Sequence, residues 1–143
     1  MIERSLPITD VRQLIPQKPP FVMVDTLLEF SDMKVASSFT VNPENILVED
    51  TALSEPGLIE NMAQTTALHT GYACFLQQKE PPTGYIGAIK NVKISVLPQI
   101  NETITTKAEI LHEFMGVTVV GIKVFNAKGE EIASGQMKTV IAG

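Results

Sequence analysis

Glu60 and Gln64 are four residues apart, a spacing that puts both on one face of a helix, and a carboxyl beside a carboxamide can do proton chemistry. Glu60 lies among Leu58, Ile59 and Met62, where a solvated carboxylate has little purpose and a general acid or base has one. A glutamate here could also cap its own helix or pair with a lysine. Gln64 could orient Glu60 or hold a water; alone it would be an ordinary structural hydrogen-bonder. Gly57, three residues before Glu60, would sit at the helix start, where its N–H has no intrahelical acceptor and no side chain blocks approach. Such a group can serve an oxyanion, and otherwise it is a loose start after Pro56. His69 is nine residues beyond Glu60 and His112 lies near a strand end, so both read as structural or surface residues. No His/Cys/Asp/Glu set has metal-ligand spacing, no glycine-rich phosphate loop is present, and Ser37, Ser38 and Ser54 lack a nucleophile-elbow context. No metal and no cofactor are expected.

The element that must position Glu60 is a helix over about residues 54–78. Ser54 suits the N-cap, Glu55 and Pro56 suit the first turn, and helix formers dominate from Leu58 to Leu76. At 1.5 Å per residue it would be roughly 30 Å long. Ile59, Met62, Ala63 and Ala67 mark one side, while Leu68, Tyr72, Phe75 and Leu76 wrap toward another, which predicts a central helix contacted on several faces. Before it, residues 21–30 and 34–41 read as two strands, followed by turn chemistry at Asn42-Pro43-Glu44-Asn45 and an acidic loop to about Leu53 that can reach over a ligand site. From Gly84 onward the pattern is strands. Val92, Ile94 and Val96 alternate with polar residues, as do Ile104, Thr106, Ala108 and Ile110. Hairpin connections are expected at 113–116 and at 126–129, with Gly129 available for positive φ, and the last two strands at 117–125 and 131–141. Two short strands, one long helix and four longer strands make an α+β domain.

A chain of 143 residues suits one domain, spanning 1–143. Its net charge of -5 repels phosphate backbones, so nucleic acid is not an expected ligand. The single cysteine, Cys74, allows no internal disulfide and fits a reducing compartment, the cytoplasm. Neither a signal-like apolar run after Glu3 and Arg4 nor a spanning-length apolar segment is visible, so membrane insertion is not expected.

Three stretches together resemble the hot-dog dehydratases that act on 3-hydroxyacyl-acyl carrier protein in fatty acid synthesis. Leu14-Ile15-Pro16-Gln17-Lys18-Pro19-Pro20-Phe21-Val22-Met23-Val24-Asp25 is similar to that family's Leu-Leu-Pro-His-x-x-Pro-Phe-x-x-x-Asp. Pro56-Gly57-Leu58-Ile59-Glu60-Asn61-Met62-Ala63-Gln64 resembles its Pro-Gly followed by Glu-Ala-Met-Ala-Gln, and Ile86-Gly87-Ala88-Ile89-Lys90-Asn91-Val92-Lys93-Ile94 its strand after the helix.

The resemblance implies a hot-dog domain, a long central helix wrapped by a curved antiparallel sheet, with a histidine and a helix carboxylate supplied by opposite subunits of a dimer. Glu60 matches the carboxylate, with two residues between it and Gly57 where the family has four. Gln17 stands where the histidine would be, and residues 97–102 lack the family's Pro-Gly-Asp. A neutral amide neither takes up nor releases a proton near pH 7, so Gln17 can hydrogen-bond but cannot be the base. The implied ligand is a 3-hydroxyacyl or 2-enoyl thioester of acyl carrier protein or CoA. Its chain would occupy an apolar slot among Phe21, Leu58, Ile59 and Met62, and its carbonyl would rest on the Gly57 N–H. The implied assembly is a homo-oligomer or a heterodimer with a histidine-bearing homologue. Lys18, Lys90 and Lys93 are the lysines an acidic carrier could meet. Two alternatives stand beside this reading: a thioesterase in which Glu60 activates water or attacks the thioester while Gln17 or Gln64 positions the reactants, and a non-catalytic acyl-binding subunit.

Overall fold

A computed structural model describes residues 5–82 and 84–141; Glu3 and Arg4 of the charged start lie outside them. The elements in chain order are β1 (Thr26–Phe30), β2 (Lys34–Thr40), β3 (Val48–Glu49), β4 (Ala52–Leu53), α1 (Glu55–Leu76), β5 (Gly84–Ile94), β6 (Thr103–Phe114), β7 (Val117–Phe125) and β8 (Glu131–Ile141). Strong alternation makes the last two strands coincide with the sequence expectation, and Asn126 opens the turn between them, in which Gly129 has φ 82. The acidic loop carries a two-residue hairpin, β3–β4, that periodicity is too short to reveal.

Residues 21–25 depart from the expected strand. Three backbone groups of Phe21 and Met23 are bound by helix side chains: the Met23 N–H donates to Gln64 Oε1 at 2.6 Å, and the Met23 and Phe21 carbonyls accept from Asn61 Nδ2 at 2.7 Å and Gln64 Nε2 at 2.8 Å. Groups used in this way cannot join a ladder, and β1 begins only at Thr26.

Six strands form one antiparallel sheet in the order β1-β2-β6-β7-β8-β5. The chain leaves β2 near one edge, crosses as α1, and returns as β5 at the other edge, so the helix packs on β2, β6, β7 and β5. Inward positions of neighbouring strands coincide by register: Val35 faces Ala108, Ala108 faces Ile122, and Val120 faces Met137. They meet Leu58, Met62, Leu68 and Tyr72 of α1 in one core. Each such large side chain contributes about 1.5–3 kcal/mol on burial.

The helix begins as expected, with Ser54 in extended conformation and its hydroxyl accepting from the Gly57 N–H. From Gly57 to Phe75 no residue is fully exposed. Its innermost face mixes Leu58, Met62 and Leu68 with Asn61, Gln64 and Thr65, all 0% exposed. Thr106 Oγ1 donates to Asn61 Oδ1 at 2.6 Å, and Thr65 Oγ1 donates to the Asn61 carbonyl at 2.8 Å. The Thr65 hydroxyl has one proton, so Ser37 is the donor across their 2.7 Å contact. These bonds fasten α1 to β2 and β6 at fixed rotation. No helix among the described residues is long and apolar enough to cross a membrane.

Gly71 is where the segment before β1 crosses the helix, and a Cβ there would collide with the Leu14 carbonyl oxygen. Backbone gives way less readily than a side-chain tip. Gly71→Ala is therefore expected to cost about 1–3 kcal/mol, the range for overpacking, read as a lower urea midpoint at unchanged slope.

Asp25 is exposed, its Oδ2 accepts the Thr40 N–H at 2.8 Å, and partial desolvation of the carboxyl pushes it above the ordinary 3.8 against the effect of that bond. A raised folded-state value means that the fold binds the proton more tightly than the unfolded chain does. Stability from this group is thus present at low pH and is lost as pH rises from 3.8 through the raised value. Asp25→Asn keeps an acceptor for Thr40 without the charge. It should match or exceed the parent in stability at pH 7, with any advantage vanishing below about pH 4, by urea melts across pH.

Candidate functional site

The helix carboxamide sets the geometry of the carboxyl. Gln64 Oε1 accepts from Met23, which turns its two N–H bonds toward the Phe21 carbonyl and toward Glu60 Oε1, the latter at 3.0 Å. Every part of the Gln64 amide is engaged, so its rotamer is fixed by partners 41 and 43 residues away in the chain. Glu60 is thereby held by one oxygen, leaving Oε2 for whatever enters from outside.

What lies outside is a cavity of about 240 Å³ between α1 and the sheet. Along the helix it is bordered by Glu60, Ala63, Ala67, Thr70 and Gly71, a stripe at helical spacing that runs roughly 16 Å. Val35, Ala108, Ile110 and Val120 form the sheet wall, and Leu14, Pro16 and Gln17 contribute from the segment packed across Gly71. The result is a mostly apolar trough with a carboxyl and a carboxamide on its border, which suits an extended chain bearing a polar group.

Of the residues singled out in the sequence, Glu60 and Gln17 border this trough, and Gln64 reaches it through Glu60. Phe21, Leu58, Ile59 and Met62 do not border it. Leu58 and Met62 are 0% exposed in the core, Ile59 packs partly buried against that core, and Phe21 is 54% exposed on the surface. Gly57 is also apart from it. Its N–H faces Ser54 Oγ at 3.4 Å, and the space where a Cβ would stand is filled by Leu53 and Leu47 of the loop before the helix.

His69, read from sequence as structural or surface, also borders the trough. Its ring stacks on Phe30 at 4.9 Å, and its Nε2 lies 2.8 Å from the Ser31 carbonyl. A carbonyl only accepts, so Nε2 carries a proton and donates it to Ser31. Glu113 and Thr118, hydrogen-bonded to each other at 3.2 Å, add a second polar pair to the border. A sequence signal for the trough does exist in the small residues Ala63, Ala67, Thr70 and Gly71, in helical register with Glu60. Of the three lysines considered for a carrier, Lys93 sits on the outer sheet face opposite Ser134, beside Lys123 and Lys107.

A long helix held against a six-stranded antiparallel sheet, joined in this order, defines the hot-dog class of folds. Residues 9–142 match the family model described as ApeP-like, ApeP dehydratase, and the chain belongs to that family. The 3-hydroxyacyl-[acyl-carrier-protein] dehydratase FabZ of Vibrio cholerae serotype O1 is 23% identical over 146 residues, covering 95% of this chain and 92% of that one. Among solved structures, the dehydratase heterocomplex ApeI:P from Xenorhabdus doucetiae is similar with TM-score 0.80 and 18% identity, over 97% of this chain and 93% of that one. The smu.793 protein of Streptococcus mutans UA159, bound to acetyl CoA, matches with TM-score 0.70 and 13% identity, over 90% and 96%. These two likenesses are of fold.

Proposed function

We propose that this chain binds 3-hydroxyacyl or 2-enoyl thioesters, carried on acyl carrier protein or CoA, and supplies the carboxylic acid of a dehydratase site whose base is the histidine of a related partner subunit. The observation that carries the reading is that Glu60, oriented by Gln64, opens onto a mostly apolar trough between the helix and the sheet. Gln17 occupies the position of the dehydratase histidine by resemblance and offers no base. In the completed site the histidine removes the α-proton and Glu60 protonates the departing 3-hydroxyl, yielding a trans-2-enoyl thioester and water.

Support for a two-subunit site comes from β5. This strand is 11 residues long, forms an edge of the sheet, and exposes Tyr85, Ile86 and Ile89. Long apolar edges invite pairing with another chain. The likeness to a heterocomplex adds to this, and a lone Cys74 is in keeping with assembly in the cytoplasm.

The test is to give a trans-2-enoyl thioester of N-acetylcysteamine to the purified chain, alone and co-expressed with a histidine-bearing relative, and to follow hydration and thiol release in parallel. Fast hydration in the mixed protein, with neither reaction in the chain alone, is expected. Glu60-dependent thiol release by the chain alone would replace this reading with a thioesterase. Binding without any reaction in either preparation would leave a non-catalytic acyl-binding subunit.

A further inference from the structure

The sheet face turned away from α1 carries an excess of lysine. Register sets Lys107 of β6 directly opposite Lys123 of β7, and Lys123 opposite Ser134, which in turn faces Lys93 of β5. The next row on that face runs Lys34, Glu109, Gly121, Gln136 and Lys90, and Lys138 follows opposite Val119. Against these six lysines stand Glu29, Glu109 and Glu131, in a chain whose net charge is -5. Like charges directly opposite on neighbouring strands destabilise a sheet, so Lys107 and Lys123 stand together at a cost to the fold. Lys34 pairs with Glu109 and Lys123 with Glu131, both at 3.8 Å, whereas Lys93 and Lys107 have no ion-pair partner among the described residues. Lys34, Lys93, Lys107 and Lys123 border a shallow depression of about 540 Å³, left open where Ala36 and Ser134 are small.

The same face ends, at the β6–β7 turn, in exposed apolar side chains. Phe114 is 54% and Met115 89% exposed, and Leu111 lies on this face over Gly121. Met115 has φ 51 and Gly116 φ 79, the left-handed pair of a two-residue hairpin turn. Asparagine, aspartate or glycine suits the first of those positions, and methionine there is strained. A strained methionine in water beside an exposed phenylalanine gives the fold nothing, which points to a contact outside the chain.

Pairing through the β5 edge extends the sheet and leaves this face open. A second copy stacked on it would set lysine against lysine or against apolar side chains. Lysines along a face and an apolar tip at its end match an anionic lipid surface, where headgroup phosphates meet the one and the acyl boundary takes the other without needing a matching pocket. We propose that the outer sheet face is a peripheral docking surface for anionic phospholipid bilayers, with the lysines over the headgroups and Phe114 and Met115 dipping between them.

The experiment is co-sedimentation of the purified full chain with vesicles of phosphatidylcholine, alone or with about 30% phosphatidylglycerol. The chain should partition about tenfold or more strongly to the anionic vesicles, and about 0.5 M salt should remove the difference. Each lysine at such a surface contributes about fivefold, so Lys107→Gln with Lys123→Gln should weaken binding by about tenfold or more. Phe114→Thr with Met115→Asn should weaken it by about fivefold or more at unchanged charge. Met115→Asn alone should raise the melting temperature, because asparagine suits the turn. Equal partition to the two kinds of vesicle, or binding that survives both double variants, overturns the proposal. A Met115→Asn protein that melts lower overturns it as well, since the methionine then serves the fold. Capture by immobilised poly-glutamate without vesicle binding overturns it in favour of an acidic protein partner, and an oligomer that dissociates in the lysine double variant overturns it in favour of a second copy.

Discussion

Replacing Asn61 by alanine is expected to cost about 3–5 kcal/mol, a large part of the roughly 5–15 kcal/mol that keeps a domain of this size folded. The side chain is 0% exposed and bonds in two directions, donating to the Met23 carbonyl at 2.7 Å and accepting from Thr106 Oγ1 at 2.6 Å. Truncation leaves both partners buried and unpaired, and each such group carries a penalty of about 1–3 kcal/mol. Pairing the change with Thr106→Val removes one of the two orphans, so the double variant should lose less than the sum of the singles. Urea unfolding of the four proteins in the cycle measures that coupling directly. Strict additivity would mean that Thr106 and Asn61 do not depend on each other.

Glu60→Gln is expected to lower hydration of a 2-enoyl thioester by the mixed dimer by about 10²- to 10⁴-fold, the usual loss when a positioned general acid is removed. The substitution preserves an oxygen for Gln64 to bind and nearly the same shape, so KM should move little while kcat falls. Activity from homodimers of the histidine-bearing partner, which hold complete sites, would mask the effect, so the partner must carry an inactivated carboxylate. A Glu60→Gln protein as fast as its parent would show that no proton passes through Glu60.

Where each side chain answers to its immediate neighbours in the chain, the sequence was readable. Strands β7 and β8 alternate polar and apolar residues along their length, and Ser54 with Pro56 marks the start of α1. Where the partner is distant, local pattern misleads. Residues 21–25 look like a strand because Phe21, Val22 and Val24 are apolar, yet Asn61 and Gln64, some forty positions away, take up their backbone groups. The inner face of α1 is hard to orient from hydropathy for the same reason, since Asn61, Gln64 and Thr65 are as buried as Leu58.

The site was legible unevenly. Glu60 and Gln64 stood out by spacing, and the hydrogen bond between them has the geometry that spacing implies. Gln17 drew attention only through resemblance, and its placement on the trough depends on Gly71 admitting the Leu14 backbone, a contact no short-range signal announces. His69, Glu113 and Thr118 reach the trough because α1, β6 and β7 stack, which periodicity within any one of them does not show.

The division of labour between subunits is tested most directly by restoring the missing base. Rates of trans-2-enoyl thioester hydration should be measured for the chain as a homo-oligomer, with glutamine or histidine at position 17. If Glu60 and residue 17 together make a dehydratase site, the parent is slow or inactive and Gln17→His is faster by about 10²- to 10⁴-fold, a gain abolished by Glu60→Gln in the same protein. A parent that is already fast, with a rate unchanged in Gln17→His, would contradict the proposal and make His69 the next residue to test as the base.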